Sequence, residues 1–309
     1  MPDTAPPGSS TAVVAVLGTG TMGAAMATNI ARGGLSLRVW NRNRDVAAPL
    51  ADLGATVSDS PADASRGADV VLTVLANESA VAEVIDQARA GLADGAVWVQ
   101  SCTVSPDGSH RLAGRANEFG VAFVEAPLIG TKEPAVAGTL TVLAATARDA
   151  DRERVQPVFD AIGSRTVWLD AVGQPSSLKL AYNAWVLATV EAVAESLALA
   201  DALGVDPTLV VDVIHGSAVD SVYVQTKGPK MIADDLDDAS FPLAAAAKDA
   251  GLITDAARSA GLRLGIAETV RERLELAAHN GLGRADVAAT YRLLHQQENV
   301  DPQRSSGCP

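Results

Sequence analysis

Hydrophobic and polar positions follow two rhythms along this chain, and the change from one to the other divides it. Up to about residue 170, short β-branched runs alternate with stretches of helical spacing, as in successive βαβ units. The runs at 13–17, 35–40, 68–75 and 96–100 read as buried parallel strands. Those at 120–125, 139–143 and 164–169 extend the series to a doubly wound sheet of about eight strands. From Pro175 onward no strand pattern appears. Residues 178–203 form one Ala-, Val- and Leu-rich stretch without Pro or Gly, Gly204 ends it, and Asp206 and Pro207 start another helix. Further helices are expected over about 207–215, 243–260, 264–280 and 285–296.

The stretch at 178–203 is too apolar around its circumference for a surface helix. Val186, Leu187, Val190, Val193, Leu197 and Ala200 wrap around more of it than one core face requires, so a symmetric partner is expected to cover part of it. The chain is therefore read as an oligomer, at least a homodimer.

The first strand feeds directly into Gly18-Thr19-Gly20-Thr21-Met22-Gly23 and then into a helix-prone segment. In a Gly-x-Gly-x-x-Gly turn the first glycine permits the tight strand-to-helix reversal, the second lets backbone approach a pyrophosphate, and the third lets helix and strand pack closely. The helix N-terminus supplies amide donors and a positive dipole end. These features predict an N-terminal Rossmann-type domain at 11–172, followed by an all-α domain at 173–298, an α/β architecture overall. The polar ends at 1–10 and 299–309 are expected to be disordered tails. After the second strand, where NAD-preferring sites place a carboxylate for the ribose hydroxyl, the chain has Asn41, Arg42, Asn43 and Arg44, with no acid before Asp45. That set suits a 2′-phosphate, and NADP(H) is the expected cofactor, with Arg42 the main contact.

Composition narrows the field. The 309 residues are 48% hydrophobic, enough for two cores, and a net charge of −13 opposes a nucleic-acid groove. Two cysteines, Cys102 and Cys308, allow no disulfide framework, and the histidines at 110, 215, 279 and 295 show no metal-ligand spacing. No metal site is expected. No charged leader and no apolar run of membrane-span length are read, so a cytoplasmic location is the default expectation.

The strongest catalytic candidate opens the long helix, in Gly173-Gln174-Pro175-Ser176-Ser177-Leu178-Lys179-Leu180-Ala181-Tyr182-Asn183. A lysine among apolar residues needs a partner or a purpose, and desolvation beside a nicotinamide cation would lower its pKa towards that of a proton donor. Asn183, four residues on, shares its face and can bond the lysine or the substrate. A lysine snorkelling out at a helix end is the alternative. Asp249 beside Lys248 is read as pairing with a residue of the cleft, with an ordinary helical surface pair as the alternative, and Ser217 and Ser221 around Asp220 read as helix caps near His215.

Four motifs in order carry a resemblance. They are Gly18 to Gly23 with Met26-Ala27-Thr28-Asn29; Glu125-Ala126-Pro127-Leu128-Ile129-Gly130-Thr131 leading into Ala137-Gly138-Thr139-Leu140-Thr141; Lys179 to Asn183; and Lys248-Asp249-Ala250-Gly251-Leu252. From about residue 12 to 295 the chain resembles the β-hydroxyacid dehydrogenase family, which includes 3-hydroxyisobutyrate dehydrogenase and glyoxylate/succinic semialdehyde reductases. The resemblance implies hydride transfer between NADP(H) and a small carbonyl or β-hydroxyacid substrate, in the cleft between the domains. It implies Lys179 as general acid/base, Asn183 orienting substrate, and Lys248 facing the cleft with contacts to cofactor and substrate. Thr103, Ile129, Gly130 and Thr131 fall on the substrate side, and interlocked helical domains make at least a dimer.

The chain departs from this family in two places. Ile129 stands where members that bind a carboxylate usually carry serine, and isoleucine donates no hydrogen bond. Cys102-Thr103 replaces the usual Ser-Thr pair, with Cys102 a serine substitute rather than a nucleophile. Two other readings stand beside the main one. An imine reductase with an apolar cleft is favoured by Leu128 and Ile129 and opposed by Lys179. A non-catalytic NADP-binding module for assembly or sensing is opposed by the same lysine.

Overall fold

The structure, a computed structural model, describes residues 12–296, so the expected tails at 1–10 and 299–309 lie outside the described residues. The chain forms two compact units, one ending at Lys179 and the other beginning at Leu180.

The first unit alternates strands and helices from its start: β1 (Val13–Leu17), α1 (Thr21–Arg32), β2 (Ser36–Trp40), α2 (Arg44–Ala47), β3 (Thr56–Val57), α3 (Pro61–Ser65), β4 (Val70–Thr73), α4 (Glu78–Ala88), β5 (Val97–Gln100) and α5 (Pro106–Glu118). It continues through β6 (Ala122–Glu125), β7 (Leu128–Ile129), α6 (Lys132–Ala137), β8 (Leu140–Thr146), α7 (Asp149–Ile162) and β9 (Gly163–Trp168). The order is β3-β2-β1-β4-β5-β6-β8-β7, with β9 on β8. Pairing is parallel from β3 to β6, then antiparallel at β6–β8 and β7–β8. Successive residues of β1 face opposite layers. Val14 and Val16 pack with Met26, Ile30 and Phe159 on the side of α1 and α7, while Ala15 and Leu17 pack with Val81, Ile85 and Leu112 on the side of α4 and α5. A strand buried on both faces must be apolar throughout, which is why these runs carry no alternation.

The sheet has nine strands rather than about eight. The two that the sequence did not disclose, β3 and β7, are two residues each and too short to make a pattern. Chain reversal at β1 between β2 and β4 leaves a crevice at the ends of the parallel strands, where ligands of such sheets bind.

Helix α8 (Gln174–Ala202) leads into the second unit, which continues through α9 (Thr208–Ile214), α10 (Val222–Ile232), α11 (Leu243–Ser259) and α12 (Gly265–His279). Gly204 adopts φ 76 and stops α8 in a left-handed turn. The six residues expected to need a partner, Val186, Leu187, Val190, Val193, Leu197 and Ala200, are all buried within the chain. Their burial does not call for a second subunit: Leu187, Val190, Val193 and Leu197 share one core with Val224 and Met231 of α10, Leu243 and Ile253 of α11 and Leu274 of α12. What α8 leaves uncovered is a different row: Leu178, Trp185, Leu199 and Leu203. A second correction concerns membranes. By length and a mean hydropathy of 1.2, α8 does reach the size of a membrane span, but its inner row is the core of this unit.

Of helix α10 the sequence disclosed only the cap, Ser221, because Gly228 and Pro229 interrupt the pattern that follows. The glycine is required by packing: a Cβ there would lie 2.9 Å from Val211 Cγ2 of α9. Ser221 caps α10, accepting from Val224 N at 3.3 Å. The helix expected at 285–296 is split into a 3-10 turn, Val287–Tyr291, and α13 (Arg292–Gln296). The cause is Asp286, fully buried, which accepts from Ala288 N at 3.0 Å, from Ser240 N at 2.9 Å and from Lys227 Nζ at 2.7 and 2.8 Å.

Candidate active site

The glycine loop between β1 and α1 has room for side chains only where a ligand would want none. Gly18 lies at φ +101, and a Cβ on it would come 2.3 Å from Val74 O; one on Gly23 would come 2.0 Å from Gly18 O. Gly20 instead faces open space, with nothing within 4 Å of its would-be Cβ. Among the described residues no side chain caps α1 and no acid lies in its first turn, so the amides at Thr21 and Met22 present a positive end. Thr19 Oγ1 is buried without a partner, and Met22 packs sideways against the core. This cradle fits a dinucleotide pyrophosphate.

At the end of β2 the four candidate polar residues separate by function. Asn41 Oδ1 accepts from Thr19 N at 3.1 Å and its amide donates to Asn43 O at 2.9 Å, so its side chain ties the glycine loop to β2. Asn43 caps α2 through Asp45 N at 3.1 Å, and Arg44 is paired with Asp59. Arg42 is exposed and enters no ion pair among the described residues.

Beyond β5, buried Gln100 holds the next loop by both amide atoms, accepting from Cys102 N and donating to Cys102 O at 3.1 Å. Cys102 is buried and Thr103 half-buried beside it. After β6, Ile129 pairs with Thr141 across β7 and β8, and Gly130 turns at φ +126 with Leu140 Cδ2 2.7 Å from its would-be Cβ. Thr131 Oγ1 donates to Glu133 at 3.1 Å. This segment therefore offers a substrate apolar surface and backbone, with the one hydroxyl already engaged.

Lys179 is 8% exposed, which sets aside the snorkelling alternative. Its helix begins against Glu125, the last residue of β6 and itself fully buried. Glu125 accepts from Gly173 N at 2.6 Å, from Ser176 N at 2.9 Å and from Ser176 Oγ at 2.5 Å. In the second unit the Asn183 side-chain amide donates to Asp249 Oδ2 at 2.7 Å, and Asp249 Oδ1 lies 2.9 Å from Lys248 Nζ. Asp249 is 4% exposed, so Lys248-Asp249 is not a surface pair. Its register discloses this: Leu243, Ala246, Asp249, Ala250 and Ile253 share the buried face of α11. The structure thus joins Asn183 and Lys248 through Asp249, whose partner the sequence did not name. His215 sits 3.6 Å from Asp220 in an exposed turn, away from this group.

Comparison with known proteins agrees with this layout. Residues 13–171 match the NAD binding domain of 6-phosphogluconate dehydrogenase, and residues 173–294 match the NAD-binding region of NADP-dependent 3-hydroxyisobutyrate dehydrogenase. The chloroplastic glyoxylate/succinic semialdehyde reductase 2 of Arabidopsis thaliana is 31% identical over 288 residues, covering 92% of this chain and 80% of that protein. The chain belongs to the β-hydroxyacid dehydrogenase family. As a β-hydroxyacid dehydrogenase it is an NAD(P)-dependent oxidoreductase, and the glycine cradle is where the family's nucleotide fits. Two solved structures share the fold. The crystal structure of 3-hydroxyisobutyrate dehydrogenase from Salmonella typhimurium has a TM-score of 0.84 at 24% identity, covering 91% of this chain and 99% of that one. Imine reductase from Pseudomonas sp. has a TM-score of 0.61 at 19% identity, covering 92% and 100%.

Proposed function

We propose that the protein is an NADPH-dependent reductase of a small aldehyde or oxo acid, with Lys179 as its general acid. The observation that carries this reading is a lysine nine-tenths buried in the second turn of a helix whose start is fixed by three hydrogen bonds. When bound, the reduced nicotinamide supplies hydride; the protein must then supply a proton. Lys179 Nζ gives that proton to the developing alkoxide oxygen, and takes it back in the oxidation direction. Asn183 and Lys248, held by Asp249, belong to the substrate and cofactor side of this reading, together with Thr103 and the Gly130 turn.

Arg42 supports the preference for NADPH, because it is the cation after β2 that has no acidic partner among the described residues while Arg44 has one. Ile129 favours a substrate whose carboxylate, where it has one, is held by backbone amides rather than by a serine hydroxyl. The imine alternative draws on the same apolar Leu128-Ile129 edge, and the retained lysine weighs against it. We also infer a homodimer, from the uncovered row on α8. The test is turnover with NADPH and with NADH against glyoxylate, succinic semialdehyde and a cyclic imine, followed by nicotinamide absorbance. Faster reduction of the two aldehydes with NADPH is expected; turnover of the imine alone would replace this reading with its rival.

A further inference from the structure

We propose that Glu125 is a positioning residue for the proton-transferring lysine: its buried carboxylate seats the first turn of α8 and so fixes where Lys179 presents its ammonium group. Helices are ordinarily capped by a neighbouring Ser, Thr, Asp or Asn with one hydrogen bond. Here the cap comes from 48 and 51 residues away and takes three donors, all at the first turn of α8. A carboxylate is the group best suited to that place, since it meets the positive end of the helix and makes charge-assisted bonds. Glu125 can act as a fixed point because its strand is interior. It pairs with Gln100 of β5 on one side and Ala145 of β8 on the other. The turn before the helix is braced as well, since Gly173 lies at φ +92 with His110 Nε2 2.8 Å from its would-be Cβ. Lys179 follows Ser176 by three residues, about 4.5 Å along the axis, so a shift of the first turn is passed to it almost undiminished. The same acid opens the segment that carries Ile129 and Gly130. One strand end thereby sets the lysine's helix and starts the segment that leads to the Gly130 turn.

This inference rests on Lys179 being the acid/base, and the two are made to fail separately. Full-length Glu125→Gln, Ser176→Ala and Lys179→Ala are compared for turnover of glyoxylate and succinic semialdehyde, for NADPH affinity, and for acetic anhydride labelling of individual lysines by peptide mass spectrometry. Glu125→Gln is expected to lower kcat by roughly 10–100-fold with little change in NADPH affinity, as for a misplaced reacting group. Labelling of Lys179 should rise several-fold relative to Lys227, which is buried elsewhere and reports general loosening. Ser176→Ala removes one of the three bonds and should move both readouts the same way by less; it carries the test should Glu125→Gln not fold. Parental turnover and labelling in the Glu125 and Ser176 variants, with Lys179→Ala inactive, would overturn the positioning role alone. So would parallel rises at Lys179 and Lys227, the mark of a merely structural acid. Parental turnover in Lys179→Ala would overturn the catalytic reading itself, and the positioning role with it.

Discussion

An ammonium group is buried only where something holds it or uses it, and for Lys179 the expected use is proton transfer. Lys179→Ala should therefore lower kcat by about 10²-fold or more while NADPH binding stays near parental, since general acid assistance acts on the transition state. Steady-state kinetics beside fluorescence titration of NADPH measures both, and retained turnover would return the lysine to a packing role. Arg42→Ala should act the other way round, weakening NADPH by about 10–100-fold, the loss of one charge-assisted contact, while NADH is scarcely affected. Equal losses for the two cofactors would remove the 2′-phosphate from the argument. The residues legible in the sequence are those whose purpose is local. Gly18, Gly20 and Gly23 act within one turn, and Lys179 stands out against its own helix. The partners of Asp249 and Glu125 were not legible because they lie far along the chain, Asn183 at 66 residues and Ser176 at 51.

At the scale of elements, the second unit depends on one buried ion pair. Lys227 of α10 meets Asp286, which ends one segment and begins the 3-10 turn after it, with side chains 6% and 0% exposed. Burial pushes the Asp286 carboxyl up, but the Lys227 hydrogen bond and charge, with backbone amides of Ala288 and Phe241, outweigh it and hold it below the ordinary value of 3.8. A depressed native value means that the unfolded chain binds the proton more readily, so this contribution is complete above about pH 4 and is lost as pH falls through the native value. The thermal midpoint should drop steeply on acidification below pH 4. Asp286→Asn should flatten that drop while costing about 3–5 kcal/mol at neutral pH, where Lys227 is left buried and unpaired. Calorimetry across pH checks both, and an unchanged acid limb in the variant would assign the transition to other carboxylates. This knot also explains why the course of α10 beyond its Ser221 cap and the split near Asp286 escaped sequence reading. Gly228, Pro229 and a buried acid look like breakers or loop residues until the partner that satisfies them is known. Strands β3 and β7 escaped for the plainer reason that two residues carry no period.

For the whole molecule, the passage from alternating strands to uninterrupted helices was legible because the two periods, 2 and 3.6, cannot be confused over long stretches. The expectation of assembly rested on the wrong residues. The apolar excess of α8 is real, yet the residues first held responsible are covered by the chain itself, because a helical wheel shows how much surface is apolar and not which neighbour takes which side. The uncovered row follows another register. Leu178, Trp185, Ala192 and Leu199 recur at intervals of seven and fall on one face, with Trp185 74% and Leu199 60% exposed, and Val213 and Val222 of α9 and α10 are also bare. In the proposed homodimer this row would meet its own copy in an isologous contact. Binding that favours the folded state raises the melting midpoint with protein concentration, so dilution of the parent should lower it. Two substitutions on the same helix separate association from folding. Trp185→Asp, on the bare row, should yield a monomer in sedimentation velocity with its helical circular dichroism intact. Val190→Asp, 1% exposed, should fail to fold at any concentration, because a carboxylate there has no partner to offset its desolvation. A parent that sediments as a monomer and melts independently of concentration would refute the dimer and leave the bare row without an occupant.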